Sequence, residues 1–339
     1  MPVSTSTGLP RIAVIGTGGT ISSLGASSLD VLDYPDFGQK LTAEALLDRF
    51  PETRLVAEPV PVTVRHVGST EIGPAEWLEL RALIGKIARE EPATAGFVIT
   101  HGTATLEETA FFLNLTLDVS QPVVLVGAQR PASALGTDAG LNLVNALRVA
   151  GAAQARGKGV LVLLNDEISA ARDVVKTSTY RLQTFRSLDF GALGQVDGDG
   201  AHFYRAPLGA HMPDGPFAGR ELTAPLPRVD IVYSYAGADG ALIEAAVGRG
   251  ARGLVSAGFA PGSPTPDQRQ AFGRAIKAGL VVVQCSRAAS GRVAPRRRLR
   301  EEGIVAGGDL SPQKARILLM LALTGATDVA TIQQLFASC

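Results

Sequence analysis

Along the chain, short apolar runs alternate with segments whose apolar residues recur every three or four positions. RIAVIG (11–16), AGFVIT (95–100), PVVLVG (122–127), GVLVLLN (159–165), RVDIVYSY (228–235), RGLVSAG (252–258) and GLVVVQ (279–284) are of the first kind. Such continuous runs predict strands covered on both faces, as in a parallel sheet. Between them, PAEWLELRALIGKIARE (74–90) sets Trp77, Leu80, Ile84 and Ile87 on one helical face. ALIEAAVGRG (241–250) and PDQRQAFGRAIKAG (266–279) predict helices too, each ending at a glycine suited to a C-cap. The alternation predicts an α/β protein with helices on both sides of a mainly parallel sheet.

One stretch breaks the pattern. Residues 196–227 are rich in Gly and Pro and carry neither period, which predicts a linker or irregular hairpin between domains. The expected division is a larger N-terminal α/β domain at 1–204, a linker at 205–227 and a smaller C-terminal α/β domain at 228–339.

Composition narrows the function classes. The 339 residues are 46% apolar and 19% charged, with 32 basic and 32 acidic side chains. That balance fits a globular protein with ample core and offers no basic surface for nucleic acid; PRRRLRE near 295 is too short to argue one. No apolar run approaches about 18 residues, so no membrane span is expected, and MPVSTSTGLP lacks the features of a signal peptide. Cys285 and Cys339 have no metal-ligand spacing, so neither a zinc site nor a disulfide framework is expected. A reducing, cytoplasmic setting fits best.

Chemistry-bearing side chains cluster just after the expected strands. IGTGGTIS (15–22) is neither a dinucleotide fingerprint nor a P-loop, but a glycine turn with hydroxyls at Thr17 and Thr20. Such turns sit where open α/β sheets bind ligands, and their glycines let backbone N–H groups approach an oxyanion. THGTATLEET (100–109) follows a second run. Thr105 with Glu108 reads as a capping box, which leaves Thr103 unexplained. VGSTEIG (67–73) follows the β-like VPVTVRHV; Ser69 and Thr70 either grip a carboxylate or cap the helix near Pro74. RDVVKTSTYRLQTF (172–185) carries Lys176, an ordinary solvated lysine or, if partly buried, a base. All four clusters are expected along one edge of one sheet.

Taken in order, TGGTI, ITHGTxTxEETAxFL, VGAQRP followed by LNLVNA, RDVVKT and SPQKARILLxLALT resemble the bacterial-type asparaginase/glutaminase family over nearly the whole chain. The resemblance implies a two-domain fold, hydrolysis of a side-chain amide through an acyl-enzyme on threonine, and no metal or organic cofactor. It implies a homotetramer of intimate homodimers, each site lying between one subunit's N-terminal domain and its partner's C-terminal domain. It makes Thr20 the nucleophile with the Gly19 N–H near the oxyanion, Thr103 the second catalytic threonine, and Lys176 its partner. Ser69 and Thr70 fall where the substrate's α-carboxylate is gripped, and Ala128 where a backbone carbonyl faces the scissile amide. A lid tyrosine is expected within 29–47; Tyr34 is the candidate, with Asp36 and Phe37 as alternatives for its place.

The chain departs from this pattern at two positions. The family's HGTDT is here HGTAT, so Ala104 stands where an aspartate steadies the Thr–Lys pair and holds the substrate's α-ammonium. An acid expected before the C-terminal GIVAGGDLSPQKAR falls near Arg296, unless a register shift brings in Glu301 or Glu302. A desolvated ammonium without an anion costs several kcal/mol, and losing one charge-assisted hydrogen bond about 1.5–3 kcal/mol. The expected substrate is therefore a linear or cyclic amide, or a related acyl compound, other than free L-asparagine. Three other readings stay open: an ordinary but slow asparaginase/glutaminase, an engineered substitution that traps substrate, and a non-catalytic ligand-binding homologue. Against the last, Thr20, Thr103 and Lys176 are all present.

Overall fold

Two units, dividing between Ala218 and Gly219, make up the computed structural model, which describes residues 8–325 and 328–339. The first unit opens with β1 (Arg11–Gly18), β2 (Ser23–Leu24), α1 (Tyr34–Phe37), β3 (Gln39–Lys40), α2 (Ala43–Arg49), β4 (Glu58–Val67) and α3 (Pro74–Glu90). It continues with β5 (Gly96–Thr100), α4 (Leu106–Thr116), β6 (Val123–Val126), α5 (Ala139–Gly151) and β7 (Val160–Leu164). It closes with β8 (Glu167–Ala170), β9 (Val175–Lys176), β10 (Phe185–Arg186), β11 (Gly194–Asp197) and β12 (Gly200–Phe203). Eight of these strands form one sheet in the order β12-β11-β8-β7-β6-β5-β1-β4, parallel from β7 to β4 and antiparallel beyond.

The parallel strands are apolar throughout because both faces are covered. Ile12 and Val14 of β1 and Val98 of β5 pack in one cluster with Leu46 and Leu47 of α2 and Leu143 and Leu147 of α5. Alternate residues such as Phe97 and Ile99 face the other way and are equally buried. The expected face of α3 is the buried one, Trp77, Leu80, Ile84 and Ile87. Trp77 stacks at a tilt on Phe112 of α4, ring centroids 5.3 Å apart.

The antiparallel edge escapes a reading based on long apolar runs, since β8, β11 and β12 have four residues each. A local signal does exist: Asn165 and Asp166 join β7 to β8 with φ of 51° and 65°, as a tight hairpin turn requires. Within the irregular stretch, β11 and β12 pair as a hairpin. Met212 and Phe217 are buried, and the Phe217 N–H bonds the Leu115 carbonyl at the end of α4 (3.1 Å).

The second unit holds β13 (Val229–Tyr233), α6 (Ala241–Gly248), β14 (Gly253–Gly258), α7 (Pro266–Lys277) and β15 (Val281–Ser286), then α8 (Arg297–Glu301), β16 (Ile304–Ala306), α9 (Pro312–Ala322) and α10 (Val329–Ser338). Its sheet runs β13-β14-β15-β16, all parallel. The glycines expected to end α6 and α7 do so: Gly250 and Gly279 have φ of 78° and 91°. The next N–H, of Ala251 or Leu280, reaches back to the carbonyl of Ala246 or Ala275 at 3.1 Å, which satisfies the helix end.

Candidate active site

Four parallel strands bring their C-terminal ends side by side in the order β6, β5, β1, β4; three of them carry an expected cluster, and β6 leads to Ala128. Thr20 follows β1, Ser69 follows β4, Thr103 follows β5 and Ala128 follows β6. The loops abut because glycines stand at the contacts. A Cβ on Gly19 would lie 2.3 Å from the Gly102 backbone, and one on Gly102 would lie 2.8 Å from the Ser69 hydroxyl. Gly19 also adopts φ 84° and ψ −178°, a region in essence reserved for glycine. The residues just after these two glycines, Thr20 and Thr103, are therefore held on neighbouring loops.

The turn before Thr20 is pinned at many points. The Gly19 carbonyl accepts from the Ser22 N–H (3.1 Å) and from the hydroxyls of Ser22 and Ser23 (3.0 and 2.9 Å). The Gly19 N–H donates to the Val67 carbonyl at 3.1 Å. This corrects the expectation that it faces an oxyanion, because its hydrogen is already committed to β4. Thr17 is structural: its hydroxyl closes the Thr100 carbonyl at 2.8 Å.

Tyr34, at the start of α1, places its phenol oxygen 3.0 Å from the Thr20 hydroxyl. Burial holds its pKa above the ordinary value, against the hydrogen bond to Thr20, so at neutral pH it is a phenol and not a base. Of the alternatives, Phe37 is 86% exposed and Asp36 is exposed as well.

Thr103 and Lys176 meet. The Lys176 ammonium nitrogen lies 2.6 Å from the Thr103 hydroxyl. Lys176 does not extend a strand of the main sheet, which corrects the picture of four clusters on one edge. The chain reverses through β8 and brings Lys176 in on β9, paired only with β10. The anchor is Glu107, a buried carboxylate on α4 that accepts the Lys176 N–H at 2.5 Å. Desolvation lowers the Lys176 pKa, and the Glu107 charge opposes that shift. Glu107 gives no sequence signal of its own beyond a helical start rich in glutamate.

Around this pair, two capping expectations fail. Thr105 is the N-cap of α4, but its hydroxyl makes no capping bond; it donates to the Ser69 carbonyl at 2.7 Å. Ser69 caps nothing at Pro74 either. It opens a short turn of its own, and the N-cap of α3 is Gly73, whose N–H goes to Glu76 at 2.9 Å. The buried Ser69 hydroxyl accepts the Ala104 N–H at 3.2 Å, while Thr70 and Ala104 are exposed.

His101 is a residue the sequence reading missed. It is wholly buried, and its Nδ1 lies 2.8 Å from the Gly102 carbonyl, an obligate acceptor, so Nδ1 carries the hydrogen. Its Nε2 then accepts from the Thr109 hydroxyl (3.0 Å), which accepts in turn from the Trp77 indole (2.9 Å). Desolvation pushes the imidazole down to about 4, so it is neutral and braces the Gly102 peptide beside Thr103.

Arg296 lies in the second unit, exposed at the N-cap of α8. Glu301 and Glu302 are held in exposed pairs with Arg297 (2.6 Å) and Arg298 (2.9 Å).

Residues 11–209 match the family profile described as asparaginase, N-terminal, and residues 228–336 match the glutaminase/asparaginase C-terminal domain. The chain belongs to the asparaginase family. Among curated relatives, L-asparaginase 2 of Bacillus subtilis is 40% identical over 328 residues, 97% of this chain and 86% of that one. A probable periplasmic L-asparaginase of Haemophilus influenzae is 39% identical over 336 residues, 98% and 94% of the two chains. A solved structure, titled probable cytoplasmic L-asparaginase from Campylobacter jejuni, superposes with a TM-score of 0.92 at 39% identity, covering 97% of this chain and 99% of that one. This asparaginase-family chain is thus an amide hydrolase by kinship, with the family's two-domain α/β fold. Among its described residues, no helix is long and apolar enough to cross a membrane.

Proposed function

We propose that this asparaginase-family enzyme hydrolyses a small carboxamide through an acyl-enzyme on Thr20, with a substrate other than free L-asparagine. Tyr34 steadies the Thr20 hydroxyl. Lys176, with its lowered pKa, serves as the base through Thr103, since a threonine hydroxyl is a poor nucleophile until its proton is taken. The Thr20 hydroxyl held by Tyr34 and the half-buried lysine on Thr103 support an acyl-transfer reading. The acid–base work proposed is done entirely by side chains of the protein.

The specificity proposal rests on one contact. The Ser69 hydroxyl and the Ala104 N–H share a hydrogen bond of 3.2 Å. If Ser69 and the neighbouring Thr70 take the substrate's carboxylate, the substituent on the adjoining carbon sits beside the Ala104 methyl. A methyl offers an ammonium nothing, and a desolvated ammonium needs an anion. An amide with hydrogen or a neutral group at that carbon fits better.

The test is ammonia release from succinamate beside L-asparagine and L-glutamine. The expected result is a higher kcat/KM on succinamate, and a gain of about 10- to 100-fold on L-asparagine for Ala104→Asp. Efficient turnover of L-asparagine with little on succinamate overturns the specificity proposal, and no ammonia from any amide overturns the catalytic one.

We also propose that the enzyme is a homodimer or homotetramer in which the stretch around Arg296 reaches a neighbouring subunit's site. A cytoplasmic location is proposed by analogy with the solved relative titled probable cytoplasmic L-asparaginase; cell fractionation tests it.

A further inference from the structure

We propose that Asp138, supported by Asn142, is a positioning residue that aims and polarises the Ala128 carbonyl. This inference rests on the role proposed above for the chain as an amide hydrolase, in which that carbonyl faces the scissile amide.

The geometry is that of two peptide planes clamped from one helix. Asp138 is the N-cap residue of α5, yet its carboxylate makes no capping bond. It turns back to the loop after β6, where it accepts the Gln129 N–H at 2.9 and 3.2 Å and the Arg130 N–H at 3.0 Å. One turn along the helix, the buried Asn142 donates to the Gly127 carbonyl at 3.0 Å and to Asp138 at 3.1 Å. Its own carbonyl accepts the Asn165 N–H from the β7–β8 turn at 3.0 Å, which fixes which end of the amide faces which way.

These contacts fall on both sides of Ala128. The Gly127 carbonyl belongs to the peptide plane before it, and the Gln129 N–H to the plane after it. The second plane is also that of the Ala128 carbonyl. A trans peptide is rigid, and its C=O and N–H point in opposite directions. Holding the Gln129 N–H on a carboxylate therefore sets the direction of the Ala128 oxygen. A charged acceptor on the N–H also draws electron density toward that oxygen and makes it a better acceptor, as chained hydrogen bonds do. An aspartate ordinarily contributes to a helix by capping its N-terminus. Here that contribution is absent, and both carboxylate oxygens are committed to the loop.

A carbonyl that receives the substrate's amide N–H matters for an amide and not for an ester, which has no N–H to offer. The experiment compares succinamate, L-asparagine and their methyl ester counterparts in Asp138→Asn and Asn142→Ala. The expected result is a fall in kcat on the turned-over amide of on the order of 10- to 100-fold, with KM within a few fold and ester turnover near the parent's. A substrate-free readout accompanies it: faster hydrogen–deuterium exchange at residues 126–131 in Asp138→Asn, with the melting temperature close to the parent's. Unchanged exchange there, or equal losses on amide and ester, overturns the clamp. Parent enzyme that cleaves esters but no amide overturns the amide-hydrolase reading instead, while the exchange result still reports on the clamp.

Discussion

Lys176 can accept a proton only in its neutral form, so what surrounds it sets the pH at which the enzyme works. Burial lowers its pKa, and Glu107 raises it in opposition. Replacing Glu107 by Gln keeps an oxygen for the Lys176 N–H and removes the charge. The expected outcome is an acid limb of the kcat profile displaced to lower pH, whereas Ala104→Asp displaces it upward. A limb that stays put in both variants would show that another group controls it. Lys176→Ala should lose about 10²- to 10⁴-fold in kcat, the usual share of a general base. At this scale the sequence is legible where the proposed reagent is a side chain: Thr20, Thr103 and Ser69 stand out as hydroxyls after strands, and Lys176 as a lysine in a Thr-rich segment. It is mute where a residue works on a distant backbone group. Glu107 lies 69 positions from the N–H it holds, and Asn142 23 from the one it accepts.

The strand ends are where element and chemistry meet, and His101 ties them to the core. The unfolded imidazole takes a proton near 6.5 and the folded one only near 4. Between those values the unfolded chain binds more protons, so stability falls as pH falls through the window. This one group should remove about 3 kcal/mol by pH 4, and none above pH 7. Denaturant unfolding at pH 7 and 4.5 should give a smaller difference for His101→Gln than for the parent chain. Equal differences would mean that His101 does not drive the acid sensitivity. The parallel strands and α3 were readable because two covered faces demand unbroken apolar runs and one covered helical face demands a 3.6 period. The antiparallel edge was not, because strands of four residues carry little pattern: β11 alternates buried and exposed, β8 is mostly buried and β12 is half-buried throughout. Thr105 misled for a related reason. Its spacing to Glu108 satisfies a capping box, but a carbonyl 36 positions away competes for the same hydroxyl and wins.

For the whole molecule, the missing acids raise a question of partnership. Ala104 belongs to the first unit and Arg296 to the second. If a site is completed by a neighbouring subunit, an ammonium pocket needs acids from two chains. Light scattering should find a dimer or a tetramer, and a fully active monomer would sink the proposal. A sharper test builds the pocket from two halves. Protomers carrying Ala104→Asp keep a live Thr20 but lack the second acid. Protomers carrying Thr20→Ala and Arg296→Glu have the acid but no nucleophile. Co-expressed under separate tags, mixed oligomers alone combine both acids with a working threonine if Arg296 serves its neighbour. Their activity on L-asparagine should then exceed that of the Ala104→Asp oligomer by about 10-fold, the worth of one charge-assisted hydrogen bond. If each subunit instead completes its own site, no site in the mixture holds both acids and the nucleophile. Activity would then follow the fraction of live protomers, without a gain.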